Sequence, residues 1–243
     1  MKKVLIIIGL CLLAGYLVFS ALFFEKQPKE QVCERFEVVS TDDSESNLVD
    51  MGEIEKFVAD KGLSPVGKLV KDINTYDIEQ AILENKLVKK ANVFVTGSGG
   101  IRVEIENRVP VLRIINKSGE SYYIDNEAQR VPLSKIFTAD LPLATGAVTE
   151  EFAKNGLLEF AVFLSKNEFW DNFVEQIVVV SNDEVKLIPR VGKQEIILGK
   201  IDNYQEKLNK LRIFYQKGLS EAGWNQFSAI NLKYDKQVVC TKR

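Results

Sequence analysis

The sequence predicts an α+β protein with an apolar N-terminal helix, a small domain, and a second mixed α/β domain with an antiparallel β-sheet. Three observations support this class. Residues 4–24 carry no charge and are almost entirely apolar. Apolar residues recur at helical spacing in two stretches between residues 50 and 90. Short segments of alternating apolar and polar residues, separated by turn residues, occur in both halves of the remaining chain.

Composition favours a folded protein that acts without catalysis. Hydrophobic residues make up 46% of the 243 residues and charged residues 27%, which is enough for a buried core. Histidine, the commonest general base, is absent. The three cysteines lack the spacing of a structural zinc site, and the basic residues are interspersed with acidic ones. We therefore predict no enzyme activity, metal, cofactor, small-molecule substrate or nucleic acid. The candidate carboxylates Asp125, Asp183 and Glu184 lie in turn contexts and are predicted to be solvated.

The N-terminal run, Val4–Phe24, is predicted to be a transmembrane helix. Its 21 residues match the length of about 20 that a helix needs to cross the bilayer. Lys2 and Lys3 precede it, which places a cytoplasmic tail at 1–3 and the bulk of the chain outside. A cleaved signal peptide would have a shorter apolar run, and a lipoprotein would need a small residue before Cys11. Residues 25–35 are predicted to be a juxtamembrane linker.

The first domain is predicted over residues 36–108 in the order strand, helix, helix, strand, strand. Asp50 and Glu53 form a capping-box pattern at the start of the first helix, which Gly62 ends. The second helix is predicted to begin at Asn74 or Thr75. The strands are predicted at 36–40, 91–95 and 101–106, with a glycine-rich turn before the last.

The second domain is predicted over residues 109–234, with a tail at 235–243. It opens with a hairpin of strands at 111–115 and 121–124, joined by Asn116-Lys117-Ser118-Gly119. Helices are predicted at 149–165 and at 202–217, the second capped by Asp202. Further strands are predicted at 175–180, 184–188, 195–198 and 230–234. The aromatic residues of this domain are predicted to fill the core rather than to form a ligand cage.

Several short motifs in this order resemble the bacterial FtsQ/DivIB family over nearly the whole chain. They are Arg108-Val109-Pro110-Val111-Leu112-Arg113, Tyr122-Tyr123-Ile124-Asp125, Leu141-Pro142-Leu143-Ala144-Thr145-Gly146 and Ile230-Asn231-Leu232-Lys233-Tyr234. The resemblance implies that the first domain is of the POTRA type and that a β domain follows it. One departure is Ala128, where the family often has glycine, so the local turn is expected to differ.

The resemblance implies a non-enzymatic scaffold of the division septum, single-pass in the cytoplasmic membrane. The implied partners are FtsB/DivIC-like, FtsL-like and FtsK-like division proteins, the last tied to the POTRA-type region. The alternative is a generic membrane-anchored extracytoplasmic adaptor outside the division machinery. Other POTRA-bearing proteins carry repeated units or a large barrel, for which this chain has no room.

We predict partner binding by β-augmentation, in which a partner segment pairs with an exposed strand. The predicted strand is the last one, formed by Ile230, Asn231, Leu232, Lys233 and Tyr234. An extension of this edge through Gln237-Val238-Val239 stays open. The resemblance gives Tyr234 a partner-binding role, and the alternative is that Tyr234 only covers the core.

At the domain junction, Arg108, Pro110 and Arg113 are predicted to hold the two domains at a fixed angle. The alternative is that the arginines are solvent-facing strand residues.

A disulfide between Cys33 and Cys240 would need Cα atoms within about 7 Å. Because the family is elongated, the resemblance disfavours that bridge.

Overall fold

The computed structural model describes residues 10–20, 31–41, 48–218 and 226–243. The chain divides into two compact units, the first ending at Asn107 and the second beginning at Arg108. The predicted cytoplasmic tail and most of the predicted linker lie outside the described residues.

The predicted transmembrane helix is only partly covered. Residues 10–20 form a helix, and apolar side chains such as Leu12 and Tyr16 are exposed on it. Among the described residues, no helix is both long enough and apolar enough to span a bilayer. The ends of Val4–Phe24 lie outside the described residues, so the membrane span remains a prediction.

The first unit is a three-stranded sheet with two helices. Its strands are β1 (Phe36–Ser40), β2 (Val88–Val95) and β3 (Ile101–Asn107). They are arranged in the order β1-β3-β2, with β1 parallel and β2 antiparallel to β3. The helices are Met51–Asp60 and Thr75–Leu83. The predicted order of elements in this domain is confirmed.

Side-chain caps explain where both helices begin. The Asp50 carboxylate accepts hydrogen bonds from the backbone N–H groups of Gly52 (2.8 Å) and Glu53 (3.4 Å). The Asn74 side chain accepts one from the N–H of Tyr76 at 3.1 Å. Such caps satisfy N–H groups that have no partner inside the helix. At the other end of the first helix, Gly62 has φ +72°, as expected of a residue that terminates a helix.

The second unit contains a nine-stranded mixed sheet. Its order is β12-β11-β10-β9-β8-β7-β4-β5-β6. The strands are β4 (Pro110–Asn116), β5 (Ser121–Asp125), β6 (Arg130–Val131), β7 (Leu143–Gly146), β8 (Val174–Ser181), β9 (Glu184–Pro189), β10 (Glu195–Gly199), β11 (Phe227–Asn231) and β12 (Val239–Lys242). Pairs β4–β7, β7–β8 and β10–β11 are parallel, and the other pairs are antiparallel. The hairpin predicted around Asn116 is confirmed.

The helix predicted at 149–165 is present, with an internal irregularity. Thr149 caps it by accepting a hydrogen bond from the N–H of Phe152 at 3.2 Å. The helical segments Glu150–Phe152 and Leu158–Ser165 are joined by a π-helical turn, Ala153–Leu157. A further helix, Glu168–Phe173, was not predicted.

The later helix begins and ends differently from the prediction. It covers Tyr204–Ile213 and continues into a π-helical turn, Phe214–Gly218. Its N-cap is Asn203, at φ +47° and without a side-chain cap, so the prediction of Asp202 as the cap is wrong. The Asp202 carboxylate instead pairs with Lys207, whose hydrogen bond lowers the pKa of Asp202.

The core of the second unit lies between the helices and one face of the sheet. Phe160, Leu157 and Trp170 pack there with the buried residues of the strands. Phe173 lies edge-on to both Trp170 and Tyr215, with ring centroids 5.6 and 5.0 Å away. The prediction that aromatic residues fill the core is confirmed for Phe160 and Trp170, which are buried, and for Phe152 and Phe163, which pack against them. Trp224, included in the same prediction, lies outside the described residues.

The turn between β5 and β6 contains a left-handed residue that is not glycine, Ala128. Ala128 has φ +59° and donates its N–H to the Asp125 carbonyl at 3.0 Å. Alanine therefore adopts a conformation that is strained for it. A difference from the turn of the family remains a prediction.

Replacing Ala128 by glycine is expected to stabilise the second unit. Relief of the left-handed strain of about 1–2 kcal/mol exceeds the cost of glycine's greater freedom in the unfolded chain, a net gain of about 0.5–1 kcal/mol. Both tryptophans, Trp170 and Trp224, lie in this unit, so urea unfolding of the full chain in detergent followed by tryptophan fluorescence measures it. Ala139→Gly, at a position without positive φ, is the control and should destabilise instead. Equal shifts in the two variants would contradict the strain.

Candidate partner-binding edge

The two ends of the nine-stranded sheet are built differently. One end is β6, only two residues long and followed directly by Pro132. Short edge strands and prolines discourage pairing with another chain. The other end is β12, which has four residues and no proline. Among the described residues, no strand pairs with the outer side of β12.

The strand predicted to offer the free edge is covered on both sides. Ile230 of β11 lies opposite Ile196 of β10 and, on its other side, opposite Cys240 of β12. The prediction that Ile230–Tyr234 forms an edge strand is therefore wrong. The segment predicted as a tail, 235–243, supplies the covering strand, because the chain turns after β11 and returns antiparallel to it.

Backbone alternation shows which groups of β12 face outward. The Arg243 N–H donates to the Gln226 carbonyl at 3.1 Å, and β11 is the strand that follows Gln226. Because backbone groups of successive residues in a strand point to opposite sides, the N–H groups of Cys240 and Lys242 point away from β11. The Cys240 carbonyl points the same way. These groups form the outer edge that another strand would meet.

Neighbouring side chains of β12 face either the core or the solvent. Cys240 packs against the core, and burial raises the pKa of its thiol. Its neighbour Val239 is 41% exposed. Close by, the Tyr215 hydroxyl accepts a hydrogen bond from the buried Gln194 amide at 2.6 Å, and burial raises the pKa of Tyr215. The Cys240 side chain thus attaches β12 to the core, while the outer backbone edge of the strand is open.

The remaining predicted partner-binding residues lie in the connection between β11 and β12. Leu232 is buried and donates its N–H to the Ile197 carbonyl at 2.9 Å. Lys233 pairs with Glu184 at 3.1 Å. Tyr234 is 49% exposed, so it does not simply cover the core. These residues adjoin the β12 edge without forming it, and their role in partner binding remains a prediction.

The sequence signal for β12 is weak but present. Val238, Val239 and Thr241 are β-branched, as in many strands. They follow a turn in which Lys236 adopts φ +60°. The absence of glycine or asparagine at that position hides the turn in the sequence.

The predicted junction residues have defined surroundings within the second unit. The Arg108 guanidinium pairs with Asp125 at 2.7 Å and lies 3.7 Å from Glu127. Pro110 begins β4 and is buried. The Nε of Arg113 is buried without a hydrogen-bond partner among the described residues. A role of these residues in holding the domain angle remains a prediction.

Asp125 is not solvated, contrary to the prediction. Its side chain is 1% exposed and accepts hydrogen bonds from the backbone N–H groups of Glu127 and Gln129 at 2.9 and 2.7 Å. Asp183 is exposed and lies 3.3 Å from Lys200. The buried carboxylate holds a turn and an arginine, which is a structural role.

All three cysteines are free thiols. Cys33 is fully buried in the first unit and its thiol donates to the Arg35 carbonyl at 3.3 Å.

Comparison with known families identifies both units. A model described as FtsQ/DivIB, C-terminal related, matches residues 109–241, which is more than half of the chain. A model of the POTRA-like domain matches residues 31–106. No individual curated protein matches the sequence.

Proposed function

Because the chain belongs to the FtsQ/DivIB family, we propose that it is a non-enzymatic cell-division scaffold that binds a partner strand along the outer edge of β12. The family membership supports a role in cell division through protein–protein interaction. The more specific proposal, that a partner strand binds along β12, rests on the open edge of this strand.

The edge of β12 meets the requirements for strand addition. Its outward backbone groups have no partner strand among the described residues. Main-chain pairing along such an edge provides affinity, while neighbouring side chains provide specificity. The inner side of β12 pairs with β11 from Val239 to Lys242, so the edge is held in place before a partner arrives. A preformed edge lowers the ordering cost of binding.

Anchoring in the cytoplasmic membrane is part of this proposal. Val4–Phe24 has the length and the absence of charge of a single span, and Lys2 and Lys3 favour a cytoplasmic N-terminus. The exposed apolar side chains of the helix at 10–20 are compatible with a lipid environment. In this arrangement both units lie outside the cytoplasm, at the division septum.

The proposed partner at β12 is an FtsB/DivIC-like protein, held with an FtsL-like protein, and an FtsK-like protein is proposed for the POTRA-like domain. Tyr234 and Lys233 adjoin the β12 edge and are proposed to contact the same partner. The competing function is a membrane-anchored adaptor outside the division machinery. It differs in location and in partner.

A proline at position 240 tests the edge. Cys240→Pro removes an N–H that points away from β11, and edge strands tolerate proline where the N–H faces outward. We expect the full chain, fused to a fluorescent protein at its N-terminus, to gather at mid-cell and to copurify with the FtsB/DivIC-like protein of the same bacterium. We expect Cys240→Pro to reduce copurification at least about tenfold, because a central main-chain bond of the added strand is lost.

Cys240→Ala is the matched control, since it removes the thiol and keeps the N–H. It should copurify like the wild type, and tryptophan fluorescence should show that both variants are folded. Full copurification by folded Cys240→Pro would refute binding at this edge. A fusion spread evenly around the cell would favour the generic adaptor.

A further inference from the structure

A groove in the second unit lies on the part of the sheet that β10 and β11 separate from β12. Its volume is about 300 Å³, at the lower end of the range of small-molecule sites. Among the described residues, its walls are formed by Arg113 of β4, the segment 138–141, Leu143 of β7, Glu175 of β8, and Arg190 after β9. The groove is therefore a second concave surface, apart from the strand edge.

The Arg113 guanidinium is a cation without an anionic partner in this groove. Its Nε is buried and forms no hydrogen bond, and it has no ion pair within the part of the chain that the structure describes. In contrast, the Arg190 guanidinium lies 3.0 Å from the Glu175 carboxylate. The backbone holds Arg113 in place, because its N–H donates to the Pro142 carbonyl at 3.0 Å. A buried donor without an acceptor costs free energy, which a ligand that accepts hydrogen bonds would recover.

Asp140 brings an unpaired negative charge to the same groove. Its side chain is exposed and forms no ion pair within the described ranges, with Arg113 or with any other residue. Arg190 and Glu175 neutralise each other, so Arg113 and Asp140 remain as separate charges of opposite sign. A simple anion would be attracted by Arg113 and repelled by Asp140, and a simple cation the reverse. A ligand that carries both charges is complementary to both residues.

A small cavity adjoins the groove and limits the rest of the ligand. Its volume is about 70 Å³, and a water molecule takes up about 30 Å³ in the liquid. The cavity shares Asp140, Leu143 and Glu175 with the groove and is also lined by Leu164 and the buried Trp170. It therefore admits only a small side chain.

We propose that this groove binds a small α-amino acid in its zwitterionic form. Arg113 donates to the carboxylate of the ligand through Nε and a terminal nitrogen, the paired geometry that a guanidinium favours. The Asp140 carboxylate accepts hydrogen bonds from the ammonium group of the ligand, and the small side chain enters the cavity beside Trp170. The ligand is bound and not transformed, so the site adds a small-molecule signal to a non-enzymatic protein. It goes beyond the proposed function and does not depend on the β12 edge.

Ligand-detected NMR on the full chain in detergent tests the proposal. Saturation transfer from the protein to the methyl protons is measured separately with L-alanine and D-alanine, which are zwitterions at neutral pH. We expect transfer to at least one enantiomer. N-acetylalanine lacks the ammonium group and alaninamide lacks the carboxylate, so each should bind at least about tenfold more weakly. Absence of transfer with both enantiomers would overturn the proposal, and so would equal binding by N-acetylalanine or alaninamide.

Arg113→Gln and Asp140→Asn locate the binding. Each removes one charge and keeps a polar side chain, and each should weaken alanine binding at least about tenfold, because one charge-assisted contact is lost. Lys117→Gln and Asp235→Asn are the matched controls, since they remove the same charges at exposed positions that do not line the groove. The controls should bind within about twofold of the wild type.

Urea unfolding in detergent checks that the variants fold. Asp140 is exposed, so Asp140→Asn decides the matter even if Arg113→Gln fails to fold. Unchanged alanine binding by a folded Asp140→Asn or Arg113→Gln would overturn the site. Copurification with the FtsB/DivIC-like protein reports on the β12 edge separately, so a failure of the amino-acid site leaves the proposed function intact.

Discussion

Replacing Asp125 by alanine is expected to lower the free energy of unfolding of the second unit by about 3–5 kcal/mol, the range for breaking a buried ion pair. The carboxylate is 1% exposed and lies 2.7 Å from Arg108, whose side chain is 21% exposed. It also accepts hydrogen bonds from the backbone N–H groups of Glu127 and Gln129. Alanine would leave both N–H groups without their acceptor and the arginine with only the more distant Glu127 carboxylate, and each lost acceptor adds to the cost.

Two further variants separate the contributions at this position. Asp125→Asn keeps an oxygen for the backbone N–H groups and loses the charge that faces Arg108, so it should destabilise less than alanine. Glu127→Ala removes an exposed carboxylate 3.7 Å from the same arginine and should change stability by less than about 1 kcal/mol. Urea unfolding of the full chain in detergent, followed by tryptophan fluorescence, ranks the three. An Asp125→Ala loss below about 1 kcal/mol would show that the carboxylate is solvated after all.

Replacing Gly146 by alanine is expected to destabilise the second unit by about 2–5 kcal/mol, the sum of left-handed strain and overpacking. Gly146 ends β7 with φ +98°. A Cβ atom there would lie 2.3 Å from the carbonyl oxygen of Val179. That oxygen is held by the N–H of Ala147 at 2.7 Å, so it cannot easily move aside. The close approach of β7 and β8 requires a residue without a side chain.

Gly119→Ala isolates the conformational part of this loss, so the difference between the two variants gives the steric part. Gly119 has φ +83°, and a Cβ atom there would meet nothing within 4 Å. It should therefore cost only the conformational term, about 1–2 kcal/mol. The same urea titration measures both variants. Equal losses at positions 119 and 146 would show that the strand contact relaxes around the added methyl group.

Local patterns predict the elements of the first unit well because the determinants of those elements are local. Asp50 and Asn74 cap helices through hydrogen bonds to residues two or three positions away, so the residue types themselves reveal the helix starts. The hairpin around Asn116 is equally local: its side chain accepts hydrogen bonds from the N–H groups of Ser118 and Glu120. Each of these interactions is contained in a few consecutive residues.

The candidate site depends on long-range pairing and is less visible in the sequence. Ile230 sits between β10 and β12, and neither pairing can be deduced from the composition of β11. The chain turns back at Lys236 without a glycine to mark the turn. The burial of Asp125 is also hidden from local patterns, because it depends on an arginine 17 positions earlier in the chain.

Lys236 in the turn before β12 and Lys242 at its end govern what happens when two copies of this protein meet. An open strand edge invites pairing with an identical edge, which is a common route to aggregation. In an antiparallel pair of β12 strands, the Lys242 end of one copy would face the Lys236 end of the other, so cation would meet cation. The arrangement disfavours self-association, and it keeps the edge free for an unlike chain.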